Sequence, residues 1–228
     1  MIVSTHQPYF APYPGFFYKI MRSDICVLLD SVQFPQGTTW VSRNRFKNDQ
    51  GTLWLTIPVW KKGLGLQKIN EIRIYHEGRW AKKHLESLRS AYAKAPYLPD
   101  HLDFLKGLFE RGLEKLINFN LELIRYLLQE LDIETHLVLL SDLKITSSGT
   151  RLPVDICSAL GSKHFLALNP SRNYLDEGLF SEVGIDIEYT QPPSPVYPQL
   201  WGKFLANLSI LDLLFNCGPK TRDIVLAG

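Results

Sequence analysis

Two hydrophobic periods alternate along this chain, and the first thirty residues contain both. Ile2 and Val3 open a short β-prone run that ends in His6, Gln7 and Pro8. Prolines at 8, 12 and 14 carry the chain through a loop, after which Phe16, Phe17, Ile20 and Met21 recur at the three-to-four spacing of one helix face. A second apolar run, Ile25 to Leu29, follows Ser23-Asp24 and stops at Asp30. Strand, helix and strand in this order predict a βαβ unit. A parallel crossover leaves the carboxyl ends of both strands on one edge of the sheet, so His6 and Asp30 are expected close together, where open α/β sheets bind ligands.

The rest of the pattern extends this core. Trp40 to Phe46 and Thr52 to Val59 flank the turn residues Asn48-Asp49-Gln50-Gly51 and predict a β-hairpin. Arg43, Arg45 and Lys47 alternate on its first arm, so all three share a face and form either a row aimed at one anion or a solvated, protected edge. Ile69 to Ile74 reads as a strand, and a helix is expected from Trp80 to about Ala93, with His84 on its apolar face. Ala95 to Pro99 breaks that helix. Leu102 to Glu110 and Gly112 to Leu131 continue a helical insertion spanning about 80–131, read as packing without chemistry.

From Thr135 the α/β pattern returns. His136 to Leu140, Phe165 to Leu168 and Ile185 to Tyr189 are expected strands, with helices at Arg151 to Gly161 and Leu179 to Val183. Ser148 or Thr150 is positioned to cap the first of these, whose amino end and Arg151 would favour an anion. Four prolines between Gln191 and Gln199 forbid a central strand and predict a stiff extended segment, before a helix from Ser209 to Phe215. The expected architecture is one α/β domain, 1–228. Its core is a Rossmann-like, open, mostly parallel sheet with a β-hairpin and the helical insertion.

Composition narrows the function. With 25 basic and 23 acidic residues the net charge is +2, so no global field argues for nucleic acid or a membrane surface. Three cysteines, Cys26, Cys157 and Cys217, lack metal-ligand spacing and sit in apolar stretches, as reduced thiols of a cytoplasmic protein would. No signal region precedes the first strand, and no apolar run reaches about 18 residues. Lys61 to Gly65 is a basic, glycine-containing loop without the spacing of a P-loop.

The sequence resembles the WbqC-like family. The resemblance rests on His6-Gln7-Pro8, Pro14-Gly15, Lys19, Leu29-Asp30, Val32-Gln33-Phe34, Trp40, Asn44-Arg45, and Leu208-Ser209-Ile210 through Asn216 and Gly218-Pro219. It implies a biosynthetic, transferase-like role in surface polysaccharide or secondary metabolism. The resemblance extends to the Trp80, Lys83, His84 pattern and to Thr150-Arg151-Leu152, while family members commonly carry histidine where this chain has Ser194.

Three functions fit these residues. The first is transfer of an acyl or aminoacyl group to an amine or hydroxyl of a small molecule, such as a nucleotide-linked amino sugar. His6 would be the base and Asp30 the carboxylate that fixes its tautomer. The candidate substrate-binding residues are Gln7, Lys19, Gln33, Arg45, His84, Arg151 and Tyr174. The second is adenylation by a nucleotidyltransferase-like site built on the His-x-Pro turn. The third is non-catalytic binding of a ligand or partner. A metal at His6, Asp30 and His84 has no supporting spacing and stays unassigned, as does any cofactor. Trp40 and Trp54 read as core or hairpin residues, Trp201 as a residue lining the cleft, Cys217 as a buried inert thiol and Asp212 as a hydrogen-bond anchor.

Overall fold

The computed structural model describes residues 1–61 and 63–227. In chain order its elements are β1 (Ile2–His6), α1 (Pro14–Met21), β2 (Ile25–Leu28), β3 (Arg43–Asn48) and β4 (Gly51–Thr56), then α2 (Trp80–Ala91), α3 (Leu98–Glu110) and α4 (Leu116–Glu130). After these come β5 (His136–Leu139), α5 (Leu140–Leu143), α6 (Arg151–Leu160), β6 (His164–Leu168), α7 (Glu177–Glu182), β7 (Asp186–Thr190), α8 (Ile210–Cys217) and α9 (Thr221–Ala227).

Five strands form one sheet in the order β5-β2-β1-β6-β7, with every neighbouring pair parallel. β3 and β4 pair separately as the antiparallel hairpin. The chain first builds outward on one side of β1, through β2 and β5, and then on the other, through β6 and β7. The order therefore reverses between β1 and β6, and a crevice opens at such a switch point beyond the carboxyl ends of the two strands.

Both faces of this sheet are covered, which explains the unbroken apolar run of β2. Cys26 and Leu28 join one buried cluster with Phe16, Phe17 and Ile20 of α1 and the apolar faces of α2, α3, α4 and α8. Val27 and Val3 point to the opposite cluster, completed by Val154 and Ile156 of α6, Phe165 of β6 and Phe180 of α7. The lone helix of the first βαβ unit begins with Pro14 in its first turn, where a missing N–H is no loss.

The hairpin arms begin and end a few residues from their expected bounds, at Arg43–Asn48 and Gly51–Thr56, and three other expected elements differ more. Ile69 to Ile74 is not a strand: Ile69–Glu71 is a 3-10 turn flanked by the isolated bridges Val59↔Ile74 and Arg73↔Lys115. The reason lies in the spacing, because Ile69 and Ile72 are three apart and a 3-10 turn buries both. α3 starts at Leu98, earlier than Leu102, since Pro99 sits in its first turn and begins the helix. α4 starts at Leu116 where Gly112 was expected; Gly112 has a φ of +69° and stands in the connection. In the basic loop, Lys62 lies outside the described residues, and Lys61 rests on Phe34, with its ammonium 4.9 Å from the ring centroid.

Candidate functional site

The carboxyl ends of β1 and β6 open into a cleft with two hollows of about 300 and 290 Å³. His6, Tyr9 and Leu168 line both. The first hollow adds Gln7, Lys19, Leu29, Ser171 and Tyr174, together with Gly149, Leu152 and Pro153 from the start of α6. The second adds Tyr13, Trp40, Asn44, Arg45 and Asn207. His6, Tyr9 and Leu168 thus stand at their junction, and His6 is the titratable base among them.

The loop after β1 is held rigidly, and this fixes the imidazole. Buried Asn120 on α4 donates to the carbonyls of Pro8 and Val41 at 2.8 and 2.7 Å. Asn44 on β3 donates to those of Phe10 and Ala11 at 2.9 and 2.7 Å, and its own oxygen accepts from the amide of Arg45. Ala11 consequently adopts a φ of +43°, a conformation that an alanine keeps only when its neighbours impose it.

His6 is 8 % exposed and sits edge-on to Tyr9 and Phe16, with ring centroids 4.6 and 4.5 Å away. Its Nδ1 lies 2.8 Å from the Gln7 carbonyl oxygen. A carbonyl only accepts, so Nδ1 carries the hydrogen and Nε2 keeps its lone pair. Nε2 has no hydrogen-bond partner among the described residues. Burial, and then the positive charge of Lys19, push the pKa of His6 down to about 3, against the lift from the Gln7 carbonyl.

Lys19 is the other unusual group. It projects from α1, is 4 % exposed, and donates to the Thr5 carbonyl at 2.6 Å. Burial lowers its pKa to about 8, and no carboxylate pairs with it among the described residues. An ammonium has three donors, so two are left for a ligand in the first hollow. Isolated buried charge is costly, and a buried cation beside a cavity makes Lys19 a candidate for contact with an anion.

The remaining candidate residues divide clearly. Gln7 and Tyr174 line the first hollow, Tyr174 at its rim with 69 % of its surface exposed and its hydroxyl 2.8 Å from Ser171 Oγ. Arg45 lines the second hollow, where one terminal nitrogen donates to the carbonyls of Ala206 and Asn207 at 2.8 and 3.2 Å. The row of three cations does not converge: Arg43 lies over Trp54 at 3.9 Å, and Lys47 donates to Gln199 at 3.1 Å.

Asp30 is buried but is not the partner of His6. One carboxylate oxygen accepts from the Ser141 amide at 2.9 Å, and the other from the Asn70 side chain at 3.1 Å. Chain geometry explains this, since β1 pairs His6 with Leu28, two residues before Asp30, and the chain has by then turned towards α5. Tautomer control thus belongs to the Gln7 carbonyl. His84 lies outside both hollows and pins α2 to the hairpin, its Nε2 3.1 and 2.8 Å from the amide nitrogen and carbonyl oxygen of Thr56. His6, Asp30 and His84 therefore do not form a ligand set, and no cluster of three metal-ligating side chains occurs among the described residues.

Arg151 is exposed and turned along its own helix to Asp155 at 2.8 Å. The start of α6 is also a poorer anion site than its sequence promised. Thr150 does not cap it but accepts from the Asp176 amide at 2.7 Å, Leu152 donates back to Gly149, and Pro153 has no N–H. Gln33 is exposed and outside the cleft, bridging to Lys68. Trp201 packs elsewhere, its indole donating to the Ala91 carbonyl at 2.7 Å. Asp212 is the anchor expected of it, accepting from Tyr92 at 2.6 Å and Tyr197 at 2.8 Å.

Sequence reasoning missed Tyr9, Tyr13 and Asn207 and gave Trp40 only a packing role. The signal for the tyrosines was their place in the loop that leaves β1. For Asn207, far along the chain, there was none.

The family model described as the WbqC-like protein family matches residues 7–224. The chain is also 32 % identical over 224 residues to a protein of Mycobacterium tuberculosis (strain ATCC 25618 / H37Rv) described as uncharacterized protein Rv1507c. The match covers 97 % of this chain and 96 % of that protein. No solved structure matches. No helix among the described residues is long and apolar enough to cross a membrane. A family match over nearly the whole length, with this relative beside it, shows that the chain belongs to the WbqC-like family.

Proposed function

We propose that this chain is a cytoplasmic small-molecule transferase. It moves an acyl or aminoacyl group onto an amine or hydroxyl of a nucleotide-linked amino sugar or related metabolite, in surface polysaccharide or secondary metabolism. The observation that carries the reading is a neutral imidazole, hydrogen-bonded through Nδ1 and free at Nε2, beside a buried lysine without a counter-ion, at the switch point of a parallel sheet.

The chemistry follows from those two groups. The acceptor nitrogen or oxygen attacks the donor carbonyl carbon, His6 Nε2 takes its proton, and the bond from that carbon to the leaving group breaks. The leaving group departs as an anion next to the Lys19 ammonium, or is protonated by His6 as it goes. A base with a pKa near 3 is too weak to act in the empty cleft. An anionic donor on Lys19 would offset the lysine charge, the smaller cause of that depression after burial.

A thermal-shift screen against sugar nucleotides, nucleotides, coenzyme A derivatives and amino acids tests the reading. A ligand at 100 times its Kd adds about 2.7 kcal/mol of apparent stability. The expected result is a shift by an anionic donor that disappears in Lys19→Met but survives in His6→Gln, while group transfer disappears in both. Absence of any shift across the panel would reject the transferase and favour a non-catalytic partner protein.

A further inference from the structure

Two large apolar side chains of the hairpin region stand in water beside the cleft. Trp40 is 43 % and Trp54 41 % exposed, although the hairpin's other face is fully packed through Phe46 and Leu55. Their rings lie 5.9 Å apart at 31°. Cross-strand pairing places Trp54 opposite Arg45, and Arg43, two residues along on the same face, lays its guanidinium 3.9 Å from the Trp54 ring centroid. The Trp40 carbonyl accepts from the Phe10 amide at 2.9 Å. The indole of Trp40 is therefore braced by a second indole, and its backbone is tied to the loop that follows His6.

Trp40 also lines the second hollow, with Arg45, Asn207 and Tyr13. The Nε of Arg45 is buried and has no hydrogen-bond partner among the described residues. Buried donors are usually paired, but this Nε is too deeply enclosed to meet a ligand; the donor left for one is the second terminal nitrogen, Nη1, which makes no hydrogen bond among the described residues while Nη2 holds the Ala206 and Asn207 carbonyls. An exposed, braced aromatic face together with an open donor suits a polar ring: apolar on its faces, rich in acceptors at its edge.

We propose that the second hollow is a ring subsite, in which Trp40 stacks on a flat or puckered ring and the Arg45 side chain hydrogen-bonds to an edge oxygen or nitrogen. The ring is either a nucleobase or the C–H face of a pyranose, which share this chemistry. The inference rests on the transferase reading for its meaning: one substrate part binds by its ring here, another by its anion at Lys19, and the reacting atoms meet at His6.

Neutral probes separate the two lobes. Saturation-transfer NMR on the full chain with adenosine, and separately with methyl glucopyranoside, reads ring contact without any anion. Transfer to base protons identifies a nucleobase site, and transfer to pyranose C–H protons identifies a sugar site. In either case Trp40→Ala should weaken the probe about tenfold, the loss of one stacking contact. Trp40→Phe should retain most of the affinity, and Lys19→Met should leave it unchanged. Neither probe receiving saturation, or Trp40→Ala leaving it intact, overturns the subsite. Inorganic pyrophosphate titrated against Lys19→Met tests the anion lobe by itself, so failure of the transferase reading remains distinct from failure of this one.

Discussion

At the scale of single residues, the cleft holds two groups whose burial sets their protonation. His6 has a folded-state pKa of about 3, depressed from 6.5 by burial and then by Lys19. Above pH 6.5 the imidazole is neutral in both folded and unfolded chains and stability does not depend on it. Below that value the unfolded chain takes up the proton while the folded chain refuses it, so stability falls as pH drops from about 6.5 towards 3. The loss attributable to His6 is about 2–3 kcal/mol at pH 4.5, and urea titrations at pH 7 and 4.5 should show it removed in His6→Gln. An acid sensitivity identical in the variant would contradict the burial argument. Lys19 obeys the same rule at higher pH, because a pKa lowered to about 8 means that folding at neutral pH carries the cost of an ammonium out of water. Lys19→Met should therefore stabilise the chain by about 1–3 kcal/mol while abolishing anion binding. A destabilised variant would make Lys19 a structural residue, useful only for its bond to Thr5.

At the scale of elements, the first βαβ unit was legible because its two hydrophobic periods are clean and its punctuation is proline and aspartate. The switch point between β1 and β6 was not legible, since a strand that resumes after a helical insertion can be added to either side of the sheet. Nor was the true place of Asp30 beside His6, because adjacency of strand ends says nothing about where a side chain turns two residues later. Asp30 instead ties the start of α5 to Asn70. Asp30→Ala should accordingly cost about 1–3 kcal/mol, through two lost bonds to a buried carboxylate, and leave the tautomer of His6 untouched. Nitrogen-15 shifts of the imidazole would check the second half, with a changed Nδ1 environment reinstating Asp30 as its partner. The same lesson applies to Arg151, whose place at a helix start looked like an anion site until its i+4 neighbour Asp155 claimed it. Sequence spacing shows which groups share a face, but competition among nearby partners decides where each one points.

At the scale of the whole molecule, the cleft is finished by the segment between β7 and α8, which lacks regular structure and crosses from the sheet to the hairpin. Packing at Pro192, a bond within the segment and an anchor at Tyr197 help to seat it. Pro192 lies so close to Gly15 that a Cβ there would come within 2.9 Å of Pro192 and 2.5 Å of Tyr13. Ser194 donates to Asn207 at 3.2 Å, and Tyr197 donates to the buried carboxylate of Asp212. Downstream, the carbonyls of Ala206 and Asn207 hold the Arg45 guanidinium in the second hollow. The segment thus links a buried anchor far from the chemistry to a side chain that lines the cleft. No periodicity announced this link, because extended proline-rich chain carries no hydrophobic signal of its own. Tyr197→Phe removes one donor from Asp212, whose pKa burial already raises, and should cost about 1–3 kcal/mol. It should also loosen the segment, so that limited proteolysis cuts between Gln191 and Leu208 faster while far-ultraviolet circular dichroism stays the same. Because Arg45 depends on the same segment, ring-probe affinity should fall in parallel with the gain in cleavage. Faster cleavage with unchanged affinity would show that the Arg45 contacts survive without the anchor, and the second hollow would then be shaped by the hairpin alone.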